Sequence, residues 1–303
     1  MIETHESTTA KICSFVRAYH ANFIKNKVFD DFFAFEIMGK DEYEDVKNSL
    51  VKTFLPCYKY RTLEEINNLF YPLINNYFAP ILLSRIAFAE KEFKIFSSIY
   101  KNCQYVICGA GLDTFSLRNT NSNVRIFELD HPNTQKYKLE RIYELLCNIP
   151  ENTTFVPIDF EKENIVEILL KSGFDPKIPT FFSILGVTYY LSLETFEQTI
   201  KDISNLASKG SEVIFDYPDE TTFSKKAAGR VQFLTKFTEN CGEKMKHGFS
   251  FEEILNLLEK YNFSVIKHFS PKEIQKIFFE KTEHQAYENV HFIGGMKIIQ
   301  EKL

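Results

Sequence analysis

Residues able to do chemistry recur at comparable places along the chain. Cys108-Gly109-Ala110-Gly111-Leu112-Asp113-Thr114 follows directly on a short apolar run. Glycines at a strand-to-helix turn let the backbone come close to a ligand with no Cβ in the way. Asp130 lies about twenty residues further on, the spacing at which a carboxylate can accept both hydroxyls of a ribose. Asp159 ends another apolar run, where it can face an adenine amino group. Leu185-Gly186 ends a further one. Singly, each acid reads more simply as a solvated or capping residue. Their recurrence at the ends of consecutive runs points to a nucleoside ligand at one edge of a sheet.

The glycine turn also limits which nucleoside. A dinucleotide fingerprint needs a third Gly or Ala, so that a helix start can receive a pyrophosphate. Here that slot is Thr114, and the turn carries Asp113. An acid there repels a pyrophosphate and suits a ligand with a cationic centre, a sulfonium or an α-amino group. This favours S-adenosyl-L-methionine over NAD.

These residues need a scaffold, and the hydrophobic pattern supplies one. Residues 1–100 read as helical. Thr62 and Glu65 form a capping box ahead of Ile66, Leu69, Phe70 and Leu73, and Pro80 can open the next helix. Beyond residue 100, strands are predicted at 104–109, 124–130, 153–159, 179–186 and 211–217, separated by helices at 132–147, 162–171 and 193–207. Strand–helix alternation of this kind gives a parallel sheet. Helices at 220–240, at 250–260 with Ser250 and Glu253 as a second capping box, and at 271–280, and two strands at 262–269 and 289–300 complete the pattern. The expected fold is an α/β, Rossmann-like, doubly wound, mostly parallel seven-stranded sheet. Residues 1–100 form a helical extension packed on a core of residues 101–303, with a helical cap before the last strands, one structural domain overall.

Composition narrows the partners. A net charge of −5 with no dense basic stripe gives no footprint for nucleic acid or for an anionic membrane surface. Six scattered cysteines (13, 57, 103, 108, 147 and 241) show no zinc-type pairing, so no metal is expected. Residues 1–10 are polar, and no run approaches the roughly 20 apolar residues of a membrane span. A cytoplasmic protein with reduced thiols is expected. The 31 phenylalanines suit either an aromatic core or an aromatic-lined pocket.

Gly109-Ala-Gly-Leu-Asp-Thr114 with Leu117-Arg118 resembles the G-A-G-x-D-T…R signature of the leucine carboxyl methyltransferase superfamily, which includes bacterial polyketide-type O-methyltransferases. Glu128-Leu-Asp130-His-Pro132…Lys138 resembles its E-V-D-x-P…K motif, and Phe155-Val-Pro-Ile-Asp159-Phe160 its third motif. Arg85 resembles the arginine upstream of the glycine turn, Arg17-Ala18 with Asp30-Asp31 is more loosely similar, and Gly242-Glu243 extends the likeness. The resemblance implies a class I S-adenosylmethionine-dependent methyltransferase. Gly109, Ala110 and Gly111 would line the methionine side of the cofactor, and Arg85 would pair with its carboxylate. Asp130 would hold the ribose, and Asp159 with Phe160 would face the adenine. The family usually has Glu-Gly where this chain has Leu185-Gly186, so another acid, such as Asp113, would have to supply that charge.

The resulting expectation is an O-methyltransferase acting on a small-molecule carboxylate or hydroxyl. A carboxylate needs no general base, whereas a phenol needs one. His247 and His131 are candidates for that base, each equally a loop histidine, and no catalytic residue is assigned. Tyr189, Tyr190 and Tyr217 could line an acceptor pocket or serve as core and rim residues. The alternatives are a non-catalytic S-adenosylmethionine-binding protein, motivated by Leu185, and an NAD-dependent oxidoreductase, which the glycine turn fits badly.

Overall fold

The computed structural model describes residues 7–55, 59, 61–145, 148–160 and 162–298. Each predicted apolar run forms a strand: β1 (Cys103–Cys108), β2 (Val124–Asp130), β3 (Thr153–Pro157), β4 (Thr180–Ile184), β5 (Glu212–Pro218), β6 (Phe263–Phe269) and β7 (Val290–Lys297). They make one sheet in the order β3-β2-β1-β4-β5-β7-β6. The first five strands are parallel, and β7 runs antiparallel to both β5 and β6. Winding goes from β1 out to β3 on one side and from β4 out to β5 on the other. The chain therefore reverses its direction of travel between β1 and β4, and the carboxyl ends of those two strands flank a crevice.

Alternation along the strands divides the core in two. Tyr105, Ile107, Ile126, Phe181 and Ile214 face the N-terminal helices. These are α1 (Thr8–Phe23), α2 (Ala34–Met38), α3 (Lys40–Phe54), α4 (Leu63–Leu73) and α5 (Ala79–Ile99). Val106, Cys108, Phe127, Phe182 and Phe215 face the other way. There they meet α8 (Ile165–Lys171), α9 (Leu193–Leu206) and α11 (Phe251–Lys260). Strands covered on both faces read as continuous apolar runs, which is why they stand out in the sequence. The phenylalanines follow the same logic. Phe93 of α5 stacks on Tyr105 at 4.5 Å, and thirteen of the described phenylalanines, including Phe88, Phe96, Phe181 and Phe215, are almost fully buried.

Short helices connect the remaining elements: α6 (Phe115–Arg118), α7 (Pro132–Glu144), α10 (Gly229–Asn240) and α12 (Pro271–Ile274). Both predicted capping boxes, Thr62 with Glu65 and Ser250 with Glu253, are present. The predicted end of α7 at Cys147, and Cys57, lie outside the described residues, as does the end of the last predicted strand at Gln300.

Two helices differ from expectation. The stretch 220–240 is not one helix. A 3₁₀ turn, Glu220–Phe223, is capped by Asp219, and α10 begins only at Gly229. Ser224 turns extended and its hydroxyl accepts the Lys226 N–H, a local bond that competes with the helix. The stretch 271–280 is α12 followed by a π turn, Gln275–Phe279. A second π turn, Ile74–Phe78, joins α4 to α5 ahead of Pro80. Carbonyls there are taken up from outside the helix. Asn76 O accepts from Arg230, and Tyr77 O accepts from the Tyr287 hydroxyl at 2.6 Å.

Candidate functional site

The turn after β1 is built from its glycines. Gly109 has φ +74°, and a Cβ there would lie 2.5 Å from Val187 Cγ2, which belongs to the turn after β4. The two turns thus meet across the crevice at a distance only bare backbone allows. Gly109 and Ala110 donate their N–H groups to Leu129 O, and Gly111 donates to Asp130 Oδ2 at 2.5 Å. The other Asp130 oxygen accepts the His131 N–H at 2.7 Å. Burial raises the Asp130 pKa above the ordinary carboxylate value, against these two N–H groups and the nearby Lys138 and His131, which lower it.

A cavity of about 440 Å³ opens beside this turn. Arg85, Gly109, Ala110, Gly111, Asp130, Asp159, Phe160 and Leu185 all line it, so all eight residues singled out in the sequence converge. Asp113 and His131 line it too. Asp159 lies two residues beyond the end of β3 and pairs with Lys162 at 3.2 Å. Asp113 is also engaged locally, since its Oδ1 accepts the Phe115 N–H at 2.6 Å at the start of α6. Phe160 is the one phenylalanine among the described lining residues, and most of the described phenylalanines are buried in the core.

Beneath the turn lies a buried polar network. Arg17 donates to Asp31 Oδ2 and to Leu112 O, both at 2.7 Å. Thr114 donates to the other Asp31 oxygen at 2.6 Å, Arg118 donates to Thr114 Oγ1 at 2.8 Å, and the Arg118 fork also meets Glu90. Thr114 and Arg118 thus hold the glycine turn to α1 and α5, while Arg17 also borders the cavity. Behind β2, Lys138 pairs with Glu128, both buried.

Cys13, Tyr190 and Glu243 also line the cavity; Tyr190 is one of the three tyrosines considered for an acceptor pocket, and Cys13 carries no motif. Cys13 of α1 accepts from Arg85 at 3.7 Å, and burial raises its pKa despite the flanking Arg85 and Arg17. Tyr190 follows β4, and burial pushes its hydroxyl pKa up. Glu243 lies in the loop after α10. Its carboxylate accepts the Ser7 hydroxyl at 3.0 Å and the Thr9 hydroxyl at 2.5 Å, clasping the start of α1 across the cavity. The other candidates lie elsewhere. His247 packs edge-on against Phe249 at 4.6 Å and does not line the cavity. Tyr189 and Tyr217 are buried, bonded to Asp216 and His268.

The donor set suits an adenosyl amino acid. A partly buried carboxylate with spare lone pairs can accept hydroxyls. The Arg85 guanidinium faces the cavity with a fork that suits a carboxylate. Bare backbone lies between them. The leucine carboxyl methyltransferase profile matches residues 10–204. This chain belongs to that family. It is 33% identical over 306 residues to the "Putative S-adenosyl-L-methionine-dependent methyltransferase YktD" of Bacillus subtilis (strain 168), covering 98% of this chain and 100% of the relative. A Mycolicibacterium vanbaalenii relative, also described as a "Putative S-adenosyl-L-methionine-dependent methyltransferase", is 32% identical over 118 residues, 39% of this chain and 40% of its own length. In fold, the chain matches the crystal structure of a "putative methyltransferase" from Thermobifida fusca YX, with TM-score 0.58 and 15% identity over 97% of this chain and 96% of that one. It also matches a duf574 family protein from Streptomyces avermitilis MA-4680, with TM-score 0.59 and 12% identity over 98% and 100%. The protein is an S-adenosylmethionine-dependent class I methyltransferase, and S-adenosylmethionine is its cofactor. Among the described residues, no helix is long and apolar enough to cross a membrane.

Proposed function

We propose that this methyltransferase transfers the methyl group to an oxygen of a small molecule, a carboxylate or a hydroxyl. We propose further that Gly109, Ala110, Gly111 and Arg85 hold the methionine part of the cofactor, Asp130 its ribose, and Asp159 with Phe160 its adenine. The observation that carries this reading is that these residues line one cavity at the strand-order reversal between β1 and β4. When bound, S-adenosylmethionine would supply an electrophilic methyl group on its sulfonium; the acceptor oxygen would form an O–C bond to that methyl carbon as the C–S bond breaks in line, with S-adenosylhomocysteine leaving.

The protein's part is to hold and orient, the proximity contribution to catalysis. Residues 1–100 act as an extension that covers the core, residues 101–303. Ser7, Thr9 and Glu243 line the cavity and tie the start of α1 to the loop after α10, an arrangement suited to limiting water entry. Leu185 adds an apolar wall beside Tyr190. A carboxylate acceptor is favoured over a phenol. His131 is the histidine in the described lining, and its Nδ1 accepts the Asn133 N–H at 3.4 Å instead of pairing with an acid. A carboxylate arrives ionised and needs no base. We infer that the enzyme works in the cytoplasm, a reading supported by four described cysteines that are free thiols.

The test is transfer of a radiolabelled methyl group from S-adenosylmethionine to a panel of small acids, phenols, amines and thiols, followed by mild alkali. Label released as methanol identifies an ester, and label retained on a phenol identifies an ether. Products labelled only on nitrogen or sulfur contradict the proposal.

A further inference from the structure

Asp216, near the end of β5, has no part in the sequence motifs, yet three elements meet on it. Its side chain is fully buried. Oδ1 accepts the Gly186 N–H at 2.7 Å, and Oδ2 accepts the Tyr189 hydroxyl at 2.8 Å. Its backbone carbonyl accepts the Thr188 hydroxyl at 2.6 Å. Arg85 Nη1, reaching across from α5, lies 3.7 Å from Oδ2. The same guanidinium lies against Gly186, whose φ is +67°, and a Cβ there would overlap its terminal atoms. Gly186 thus leaves room for the arginine, and Asp216 fixes both the glycine and the charge beside it.

We propose that Asp216 is a positioning residue that aims Arg85 into the cavity, where Arg85 receives the carboxylate of the cofactor. The inference rests on the cofactor reading given above. Two bonds to the turn after β4 pin the Asp216 carboxylate, so it is a fixed anchor for a long, otherwise mobile side chain. The 3.7 Å contact is an ion pair too long for a hydrogen bond, so it orients the guanidinium without using up the N–H fork. With Leu185 apolar, the acid that meets Arg85 on this rim comes from the adjacent strand. A second effect runs the other way, because a carboxylate beside Arg85 offsets part of the positive charge offered to another carboxylate. The two effects predict opposite signs, which makes the inference testable.

The experiment is calorimetric binding of two ligands to the purified full-length protein. S-adenosylhomocysteine carries the amino-acid carboxylate, and 5′-methylthioadenosine lacks it. Asp216→Asn keeps an oxygen for Gly186 and an amide for Tyr189, so the turn is retained while the anchoring charge is removed. Asp216→Asn is expected to weaken S-adenosylhomocysteine about tenfold and to leave 5′-methylthioadenosine within about twofold. Arg85→Gln should give the same selective loss, and Tyr189→Phe, which frees one side of the anchor, a smaller one. Unchanged or tighter S-adenosylhomocysteine binding in Asp216→Asn overturns the proposal. So does an equal loss of both ligands, which would mark a residue that merely holds the fold. A selective loss in Arg85→Gln alone overturns the positioning role and leaves the cofactor reading standing. No selective loss in either variant overturns both.

Discussion

Replacing Asp130 by Asn tests the site where its geometry is tightest. The two Asp130 oxygens accept the Gly111 and His131 N–H groups at 2.5 and 2.7 Å. Asparagine supplies one oxygen and turns an NH₂ group onto the other N–H, so one charge-assisted bond is lost and two donors face each other. The charge-assisted bond that the same carboxylate would accept from a ribose hydroxyl is lost with the charge; such a bond is worth about 1.5–3 kcal/mol, so S-adenosylhomocysteine should bind between about tenfold and about a hundredfold more weakly. The wild-type protein should also show a pH dependence that the variant lacks. Burial raises the Asp130 pKa, so the protonated form, which accepts less well, appears at a higher pH than for a free aspartate. Affinity should therefore fall on acidification from above the ordinary range of about 4, by up to about tenfold per pH unit below the pKa. Calorimetry from pH 8 to pH 4 on both proteins, with a thermal melt at each pH, reads both effects. Binding in Asp130→Asn within about twofold of wild type, with an unchanged melt, would refute the assignment of the ribose to this carboxylate.

Two further outcomes follow from groups outside the glycine turn. Glu212, 8% exposed on β5, has its pKa pushed up by burial from 4.5 to about 7. Its contribution is therefore favourable below pH 4.5 and is lost as pH rises towards 7, where the buried carboxyl must ionise. Glu212→Gln should leave stability near pH 4 little changed and raise it at pH 8 by ~1–2 kcal/mol, a figure discounted for the carboxyl's partial contact with water. Urea melts at the two pH values check this, and a variant less stable at pH 8 contradicts it. Glu243→Ala removes both bonds that tie Ser7 and Thr9 to the loop after α10. It should speed proteolysis at Lys11 and raise the S-adenosylhomocysteine dissociation rate by roughly three- to tenfold; protection equal to wild type would show that the clasp does not hold α1.

Much of the fold could be read from residue order because its signals are local. A strand buried on both faces announces itself as an apolar run, and a capping box occupies four consecutive positions. Ser250 with Glu253 therefore located α11, and the runs ending near Gly109, Asp130, Asp159 and Gly186 located the carboxyl edge of the sheet, where the cavity opens. The break at Ser224 was missed because a serine hydroxyl bonding two residues ahead leaves no trace in hydrophobic periodicity. Asp216 was missed for a related reason. An acid inside an apolar strand is a usable signal, but its partners, Gly186, Tyr189 and Arg85, lie on other elements and leave no mark on the strand's own pattern.

The sequence by itself determined which residues stand at strand ends, where the backbone must be bare, and that the turn after β1 holds Thr114 where a dinucleotide turn needs a third Gly or Ala. These depend on side-chain type and on spacing within a few residues. Only the tertiary structure decided that Arg85, Gly186, Tyr189 and Asp216 meet, that Arg17, Asp31, Thr114 and Arg118 share one buried network, and that Glu243 reaches Ser7 and Thr9. Those contacts join residues up to 236 positions apart. They exist because strand order brings β4 beside β1 and β5 beside β4 and sets α1 and α5 over one face, an arrangement that no local pattern encodes.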